Sequence, residues 1–446
     1  MSNETPETTS HTGVHSPVDA GDLIVAVDVG SARVACAVGE IEKRGVRLIA
    51  AESATSYGIR GGDIIDLKRA SEAIRIAVES AAEKASADVK TVVVGFSGDV
   101  RISTAKAAME IAREHRTVSQ GDVARLKAFV APEIPNGRRI IHRFDGPFSV
   151  GDLQGIERPE GLNGERLEMH ASFLSVAADR LDNVLKAVRL AGVEVEGVAL
   201  EPFSSSLGVL SLDERALGAA VLDFGAGAFR GALWEGGRLR QLHVIGREGV
   251  QASSTTGSGT HAAIGGMEGV TLALARRFRI APATAERLLR THGALGEDEI
   301  VKLPESAEVA AVDGLGSVRV ETRELSRTIE ELLVPSVRSL REGLSGYSHG
   351  HSVGVVLTGG GACVRGLPTW VSKRFGGGPV RAGVPNWNAD GIEPVARHVE
   401  TDGCRAATLA GLLQFGAQAR AEMNYRRQSS FFGRIADSVR RMVASL

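Results

Sequence analysis

The chain has 446 residues, with 52 Lys and Arg against 54 Asp and Glu, a formal net charge of −2. So even a balance speaks against a general nucleic-acid binder, which carries a basic patch or a high pI. With 43% apolar and 24% charged residues, the chain reads as a globular protein of about three domains that buries its core without disulfide staples. Glycine is abundant, at 54 residues, which predicts tight turns and backbone loops that approach something closely. The cysteines, Cys36, Cys363 and Cys404, are far apart and odd in number, as expected for reduced thiols in the cytoplasm, and no metal-ligand spacing accompanies them. No apolar run reaches the roughly 18 residues of a membrane-spanning helix, and no basic-then-apolar signal peptide opens the chain.

Residues 1–20 are rich in Ser, Thr, Glu and Pro and read as a disordered arm. Leu23 to Val27 is a continuous apolar run, the pattern of a strand buried on both faces, and it ends in Asp28-Val29-Gly30-Ser31. Strands at Arg33 to Val38 and Val46 to Ala51 follow, and the turns at Gly30 and Gly45 predict an antiparallel meander. The apolar spacing Ile74, Ala77, Val78, Ala81 predicts a helix over 67–84, and 91–96 is another buried strand. The mixed region 102–175 holds a helix at 120–131 and strands near 139–144 and 166–174. A helix over 179–191 and a strand over 193–200 complete this half.

The opening pattern then recurs. Ala219 to Leu222 runs into Asp223-Phe224-Gly225-Ala226-Gly227, with strands at 229–234 and 239–245 behind it. An apolar strand, Asp-x-Gly and a meander occur twice, which predicts duplication of one supersecondary unit and a two-lobed α/β protein with a cleft. Val355 to Thr358 is a further strand, leading into Gly359-Gly360-Gly361-Ala362 and a helix over 367–375.

A strand ending in Asp-x-Gly can cradle phosphate with backbone N–H groups and hold Mg²⁺ through its carboxylate. One such loop is weak evidence, since Asp-x-Gly is more often a simple turn. Two copies followed by Thr358-Gly359-Gly360-Gly361 point to a clamp on the phosphates of a nucleotide.

This order of loops resembles the actin, sugar-kinase and heat-shock chaperone ATPase superfamily. Asp28 to Ser31 resembles its first phosphate motif, Asp223 to Gly227 its second, and Val356 to Gly361 its adenosine motif. Glu201-Pro202-Phe203-Ser204-Ser205-Ser206-Leu207 and 404–416 are similar to its two interdomain connecting segments. Within the superfamily the chain most resembles the FtsA family of bacterial cell-division proteins, over about residues 22–446. The resemblance rests on Val27 to Val34, Gly61 to Asp66, Phe96-Ser97-Gly98, Leu212 to Gly218, Glu286-Arg287-Leu288 with Thr291-His292-Gly293, and on the mixed region 102–175, which sits where FtsA carries its small extra domain.

The resemblance implies an α/β, two-lobed actin-like ATPase fold with duplicated sheet domains, a small inserted α+β domain and a C-terminal amphipathic helix. It places a first lobe at 21–101 and 176–217, the inserted domain at 102–175, and a second lobe at 218–246 and 329–416. The outer subdomain, 247–328, would bind the FtsZ C-terminal peptide. ATP and Mg²⁺ are the implied cofactors. Asp28 and Asp223 would orient the metal, and Glu201 would polarise the attacking water. Backbone at Gly30, Ser31, Gly225 and Gly227 would hold phosphates, with Gly359, Gly360, Gly361, Glu286 and Arg287 around the adenosine. A Glu-Arg pair on a helix also reads as a solvated face.

Two departures stand out. Where the family carries Thr and then Asp after its second phosphate glycines, this chain has Ala228 and Arg230. An Arg there either pairs with phosphate, which its fork suits, or points to solvent from the next strand; hydrolysis is expected to be slow or absent. The Ser/Thr/Gly-rich stretch 247–263 looks like an insertion, either a loop near the site or, as favoured, a surface excursion.

After a polar linker at 417–428, residues 429–446 form an amphipathic pattern. Phe431, Phe432, Ile435, Val439, Met442, Val443 and Leu446 gather on one helical face, and Arg434, Arg440 and Arg441 lie on the other, with Ser430 as N-cap. From Arg426 onward there are five Arg and one Asp, a tail of +4 that leaves −6 on residues 1–425. A terminal helix can dock on its own core, but the linker, the Arg-rich face and the paired Phe residues favour an anionic membrane surface. The FtsA resemblance agrees. The chain is therefore expected to polymerise, to tether FtsZ filaments at the cytoplasmic face of the membrane at the division site, and to recruit other division proteins. Polymerisation would multiply the avidity of a weak anchor. The alternatives are an assembly platform resembling PilM of type IV pilus systems, which binds a partner peptide, and a small-molecule kinase of the same superfamily.

Overall fold

A computed structural model describes residues 23–42, 45–111, 117–246, 249–250, 263–312, 316–347, 352–385 and 403–422. The arm at 1–20, most of the 247–263 insertion and the amphipathic segment 429–446 lie outside the described residues.

The first lobe starts with the expected meander. Leu23–Val29 (β1) pairs antiparallel with Arg33–Glu42 (β2), and β2 with Gly45–Thr55 (β3). A short hairpin, Ile59–Arg60 (β4) with Asp63–Ile64 (β5), leads to the helix Leu67–Ala85 (α1). Asp66 caps α1 by accepting from the Arg69 amide, and the stripe Ala70, Ala73, Ile74, Ala77, Val78, Ala81 is buried. Thr91–Phe96 (β6) lies parallel to β1.

A separate four-stranded sheet follows. It comprises Val100–Glu110 (β7), Arg138–Val150 (β8), Leu153–Ile156 (β9) and Arg166–Ala177 (β10) in the order β7-β10-β8-β9. The helix Gln120–Phe129 (α2), opened by a Ser119–Asp122 capping box, covers it over a core that includes Leu126, Phe148, Leu167 and Phe173. β8 runs past the end expected at Phe144. Asp-Gly-Pro reads as a strand terminator, but the register against β10 shifts between Met169 and Ala171, and such a bulge accommodates Gly146 and Pro147 within the strand.

Ala178–Leu190 (α3) and Glu194–Leu200 (β11) return the chain to the first sheet, β11-β6-β1-β2-β3. Glu201–Val209 (α4) and Leu212–Leu217 (α5) lead to the second. Ala219–Phe224 (β12), Phe229–Glu235 (β13), Arg238–Gly246 (β14) and Gly249–Val250 (β15) form its antiparallel part. Gly266–Phe278 (α6), Pro282–His292 (α7), Glu297–Ile300 (α8), the hairpin Ser306–Ala310 (β16) and Ser317–Glu321 (β17), and the long helix Thr322–Gly343 (α9) come next. Gly354–Thr358 (β18) then adds parallel to β12, followed by Leu367–Arg374 (α10) and Val380–Ala382 (β19), giving β15-β14-β13-β12-β18-β19. The runs β6-β1-β2-β3 and β18-β12-β13-β14 have the same pairing senses, one parallel and two antiparallel. The doubled unit read from the two Asp-x-Gly strands is thus present in the topology.

The last helix among the described residues, 407–422 (α11), crosses α4, which is buried along its whole length. At the crossing Gly208 faces Ala407 and Gly411 faces Ser204, so closely that a Cβ on either would overlap the facing carbonyl. α11 also corrects the expected linker. Residues 417–422 are helical, and Arg420 donates to the Leu23 carbonyl and to Glu196, each at 2.7 Å. Gln418 to Glu422 is polar because this turn lies at the lobe's surface, not because the chain has left the fold.

Among the described residues no helix is long and apolar enough to cross a membrane. None of the three cysteines forms a disulfide, and burial pushes Cys36 up to about 12.

Candidate functional site

The three glycine loops converge. A Cβ on Gly227 of the second loop would overlap Ser31 Oγ of the first and stand 2.8 Å from Gly61 Cα of the β4–β5 hairpin. Gly359 of the third loop has φ +83°, and a Cβ there would run into Asp223 and the Phe224 carbonyl. Only glycine meets both demands without strain. Gly361 packs against Met267 and Phe224, and Gly360 faces Arg405. The carbonyls of Gly225 and Ala226 accept from the amides of Met267 and Glu268 at 2.9 Å, so the first turn of α6 fixes the second loop.

At the centre lie Asp28 at the end of β1, Glu201 at the start of α4, and Asp223 near the end of β12. Arg230 joins them from β13, directly across the hairpin from Asp223. Its Nη1 is 2.9 Å from Glu201 Oε2 and 3.1 Å from Asp223 Oδ2, and its Nη2 donates to the Ser97 carbonyl at 3.0 Å. The Arg230 side chain is 5% exposed, which overturns the reading that it points to solvent. A strand facing inward on both sides offers no wet side for it, and two buried carboxylates offer compensation. The guanidinium therefore links the second lobe to the turn after β6 and to α4.

Burial dominates the electrostatics. It raises Asp28 and Asp223, with Arg33 opposing the shift at Asp28 and Arg230 opposing it at Asp223. Glu201 is pushed up to about 8 by burial and by the neighbouring Asp28 and Asp223 charges, against the pull of Arg230. Glu201 and Asp28 also share a hydrogen bond. Asp28 Oδ1 is buried without a hydrogen-bond partner.

This arrangement bears on a metal. Asp223 Oδ2 and Glu201 Oε2 face the guanidinium, and Asp223 Oδ1 faces Thr358 Oγ1 at 3.5 Å. Of these three side chains, Asp28 contributes the one fully buried oxygen without a hydrogen-bond partner, Oδ1. Among the described residues no group of three or more His, Cys, Asp or Glu is arranged to hold a metal ion. The residues fit a phosphate cradle well; they do not fit a divalent ion bridging to Asp223.

Glu286 and Arg287 are exposed on α7, where Glu286 pairs with Arg290 at 2.6 Å, while Ala285, Leu288 and Leu289 face inward. The end of α7 is tied to the segment after the third loop, with Leu295 N donating to the Arg365 carbonyl at 2.8 Å. Sequence reasoning missed three contributors: the Ser97 carbonyl, Met267 beneath Gly361, and His142. His142 on β8 accepts from Leu200 N at 3.3 Å, immediately before Glu201, and packs 4.9 Å from Phe203 and 5.3 Å from Phe415. Its burial at a domain junction leaves no local motif. Arg230 was noticed as a departure, and its signal was the hairpin register.

Comparison with known proteins places this geometry. Residues 98–175 match the family described as the SHS2 domain inserted in FTSA, and residues 220–410 match the family described as cell division protein FtsA. The cell division protein FtsA of Escherichia coli strain K12 is 29% identical over 409 residues, 89% of this chain and 91% of that protein. FtsA of Pseudomonas aeruginosa is 27% identical over 416 residues, 91% of this chain and 92% of that protein. Among solved structures, the PilM–PilN type IV pilus biogenesis complex aligns with TM-score 0.57 at 18% identity, covering 90% of this chain and 99% of that one. MreB5 of Spiroplasma citri bound to ADP aligns with TM-score 0.51 at 12% identity, covering 91% and 99%. The fold is therefore the actin-like α/β fold with an inserted SHS2 domain, and the chain belongs to the FtsA family of cell-division proteins.

Proposed function

We propose that this chain binds ATP between its lobes, polymerises, and tethers FtsZ filaments to the cytoplasmic face of the cell membrane at the division site, where it recruits further division proteins. The convergence of Ser31, Gly227 and Gly359 around Asp28 and Asp223 carries the nucleotide part. Backbone amides of the first two loops would hold phosphates, and Gly359 to Gly361 with the nearby α7, bearing Glu286 and Arg287, would border the adenosine. When bound, Mg²⁺ would supply charge neutralisation on the phosphates, and Asp28, whose buried Oδ1 has no hydrogen-bond partner, is the residue left to hold it. The nucleotide would stabilise the closed, polymer-competent form.

Hydrolysis is slow or absent in this reading. Glu201 is tied up in an ion pair with Arg230, so it is a poor acceptor for a proton from water. The tail 429–446 is the proposed anchor, and the lobe between about Met267 and Thr328, within the outer subdomain 247–328, is the proposed seat of the FtsZ C-terminal peptide. FtsA membership favours this reading over a PilM-like platform and over a small-molecule kinase. Equilibrium binding of ATP to the purified chain, with a turnover assay beside it, tests the nucleotide part. Saturable binding with little phosphate release supports it; brisk turnover contradicts it.

A further inference from the structure

We propose that Arg230 is the resident cation of the phosphate site, so that nucleotide binding by this chain does not require a divalent metal ion. The inference deepens the nucleotide reading above and rests on it.

One nitrogen, Arg230 Nη1, lies within hydrogen-bond distance of carboxylates from two different elements, Glu201 Oε2 at 2.9 Å and Asp223 Oδ2 at 3.1 Å. A metal bridging those carboxylates would have to expel a guanidinium whose side chain is 5% exposed. That would strand the charge, together with the bond from Nη2 to the Ser97 carbonyl at 3.0 Å. Uncompensated buried charge is costly enough to keep the guanidinium in place. The second loop has been shaped around the arginine. Gly225 lies against Nη1, where an added Cβ would come within 3.2 Å.

Charge balance points the same way. Three carboxyls converge here, and a phosphate chain brings several more negative charges. In a metal-dependent site the ion offsets both. Here Arg230, paired with Glu201 and Asp223, and Arg33, which acts on Asp28, together bring the two positive charges that a divalent ion would. Arginine is always charged and cannot be removed by a chelator. A fixed guanidinium also ties β13 to the turn after β6, so it draws the lobes together as a metal-phosphate bridge would.

Calorimetric titration of the full-length protein with ATP, in excess Mg²⁺ and in excess EDTA, tests this. Wild type is expected to bind with affinities within about threefold in the two buffers. Arg230→Asp is expected to lose at least tenfold in EDTA and to recover when Mg²⁺ is restored, and Arg230→Lys is expected to retain most metal-independent binding. Thermal melts check that each variant is folded; should Arg230→Asp unfold, the wild-type comparison and Arg230→Lys still decide. Binding by wild type only in Mg²⁺, or equal binding by Arg230→Asp in both buffers, overturns the assignment of Arg230 while leaving the nucleotide reading intact. No binding by wild type in either buffer overturns the nucleotide reading itself.

Discussion

Arg230 faces Asp223 across the β12–β13 hairpin, and its Nη1 lies 3.1 Å from Asp223 Oδ2 and 2.9 Å from Glu201 Oε2. One buried cation is thereby shared between a carboxylate of the second sheet and one at the start of α4.

Removing that cation leaves two buried carboxylates uncompensated. Arg230→Ala is expected to cost about 3–5 kcal/mol of unfolding free energy, the usual cost of breaking a buried ion pair from one side. Adding Glu201→Gln to it should recover part of the loss, because one unpaired charge is gone. Urea unfolding of the two variants checks this. A single variant as stable as wild type would mean that water reaches the site.

Gly359→Ala is expected to weaken ATP binding and cost about 1–3 kcal/mol. The substitution forces an L side chain into φ +83° and drives its Cβ toward Asp223. Nucleotide titration and thermal unfolding are the readouts, and Gly237→Ala is a useful control. That glycine has φ +73° but open space around it, so strain alone separates from loss of the loop's contact with Asp223.

The crossing of α4 and α11 depends on Gly411. Gly411→Ala is expected to destabilise by about 1–3 kcal/mol through overpacking, since its Cβ would overlap the Ser204 carbonyl. Gly121→Ala, where the nearest heavy atom would be 3.6 Å away, should be tolerated. Thermal shift assays on the pair separate the crossing from helix propensity.

Burial holds His142 down to about 4, against 6.5 for the ordinary side chain. Between those values the unfolded chain binds the extra proton. The stability linked to His142 is therefore full above about pH 6.5 and is lost as pH falls toward 4, by about 3 kcal/mol in total. Urea midpoints measured from pH 7.5 to 4.5 should show this decline, and His142→Phe should flatten it, at the cost of the bond from Leu200 N.

Much of the architecture was legible because its signals are local. The apolar strands ending at Asp28 and Asp223 and the stripe on α1 announce themselves by period alone. The site was harder. Asp-x-Gly locates a turn but says nothing of what lies opposite. The position of Arg230 required the hairpin register, in which Phe224 pairs with Phe229 and Asp223 with Arg230; opposite charges at such facing positions attract. Ser97 stood out only as part of the segment Phe96-Ser97-Gly98, with no sign of its partner, and His142 had no sequence signature, because their roles arise where β8, β6 and α4 are brought together by tertiary packing. The extension of α11 through Arg420 was hidden by its polarity, since a surface turn and a linker have the same composition.

Co-sedimentation of the full chain with FtsZ and anionic lipid vesicles in the presence of ATP tests the proposed tether most directly, with a truncation lacking residues 429–446 alongside. FtsZ is predicted to pellet with the vesicles when the full chain is present and to stay in solution with the truncated one. FtsZ remaining in solution with the full chain, or pelleting equally with both, would contradict the tether.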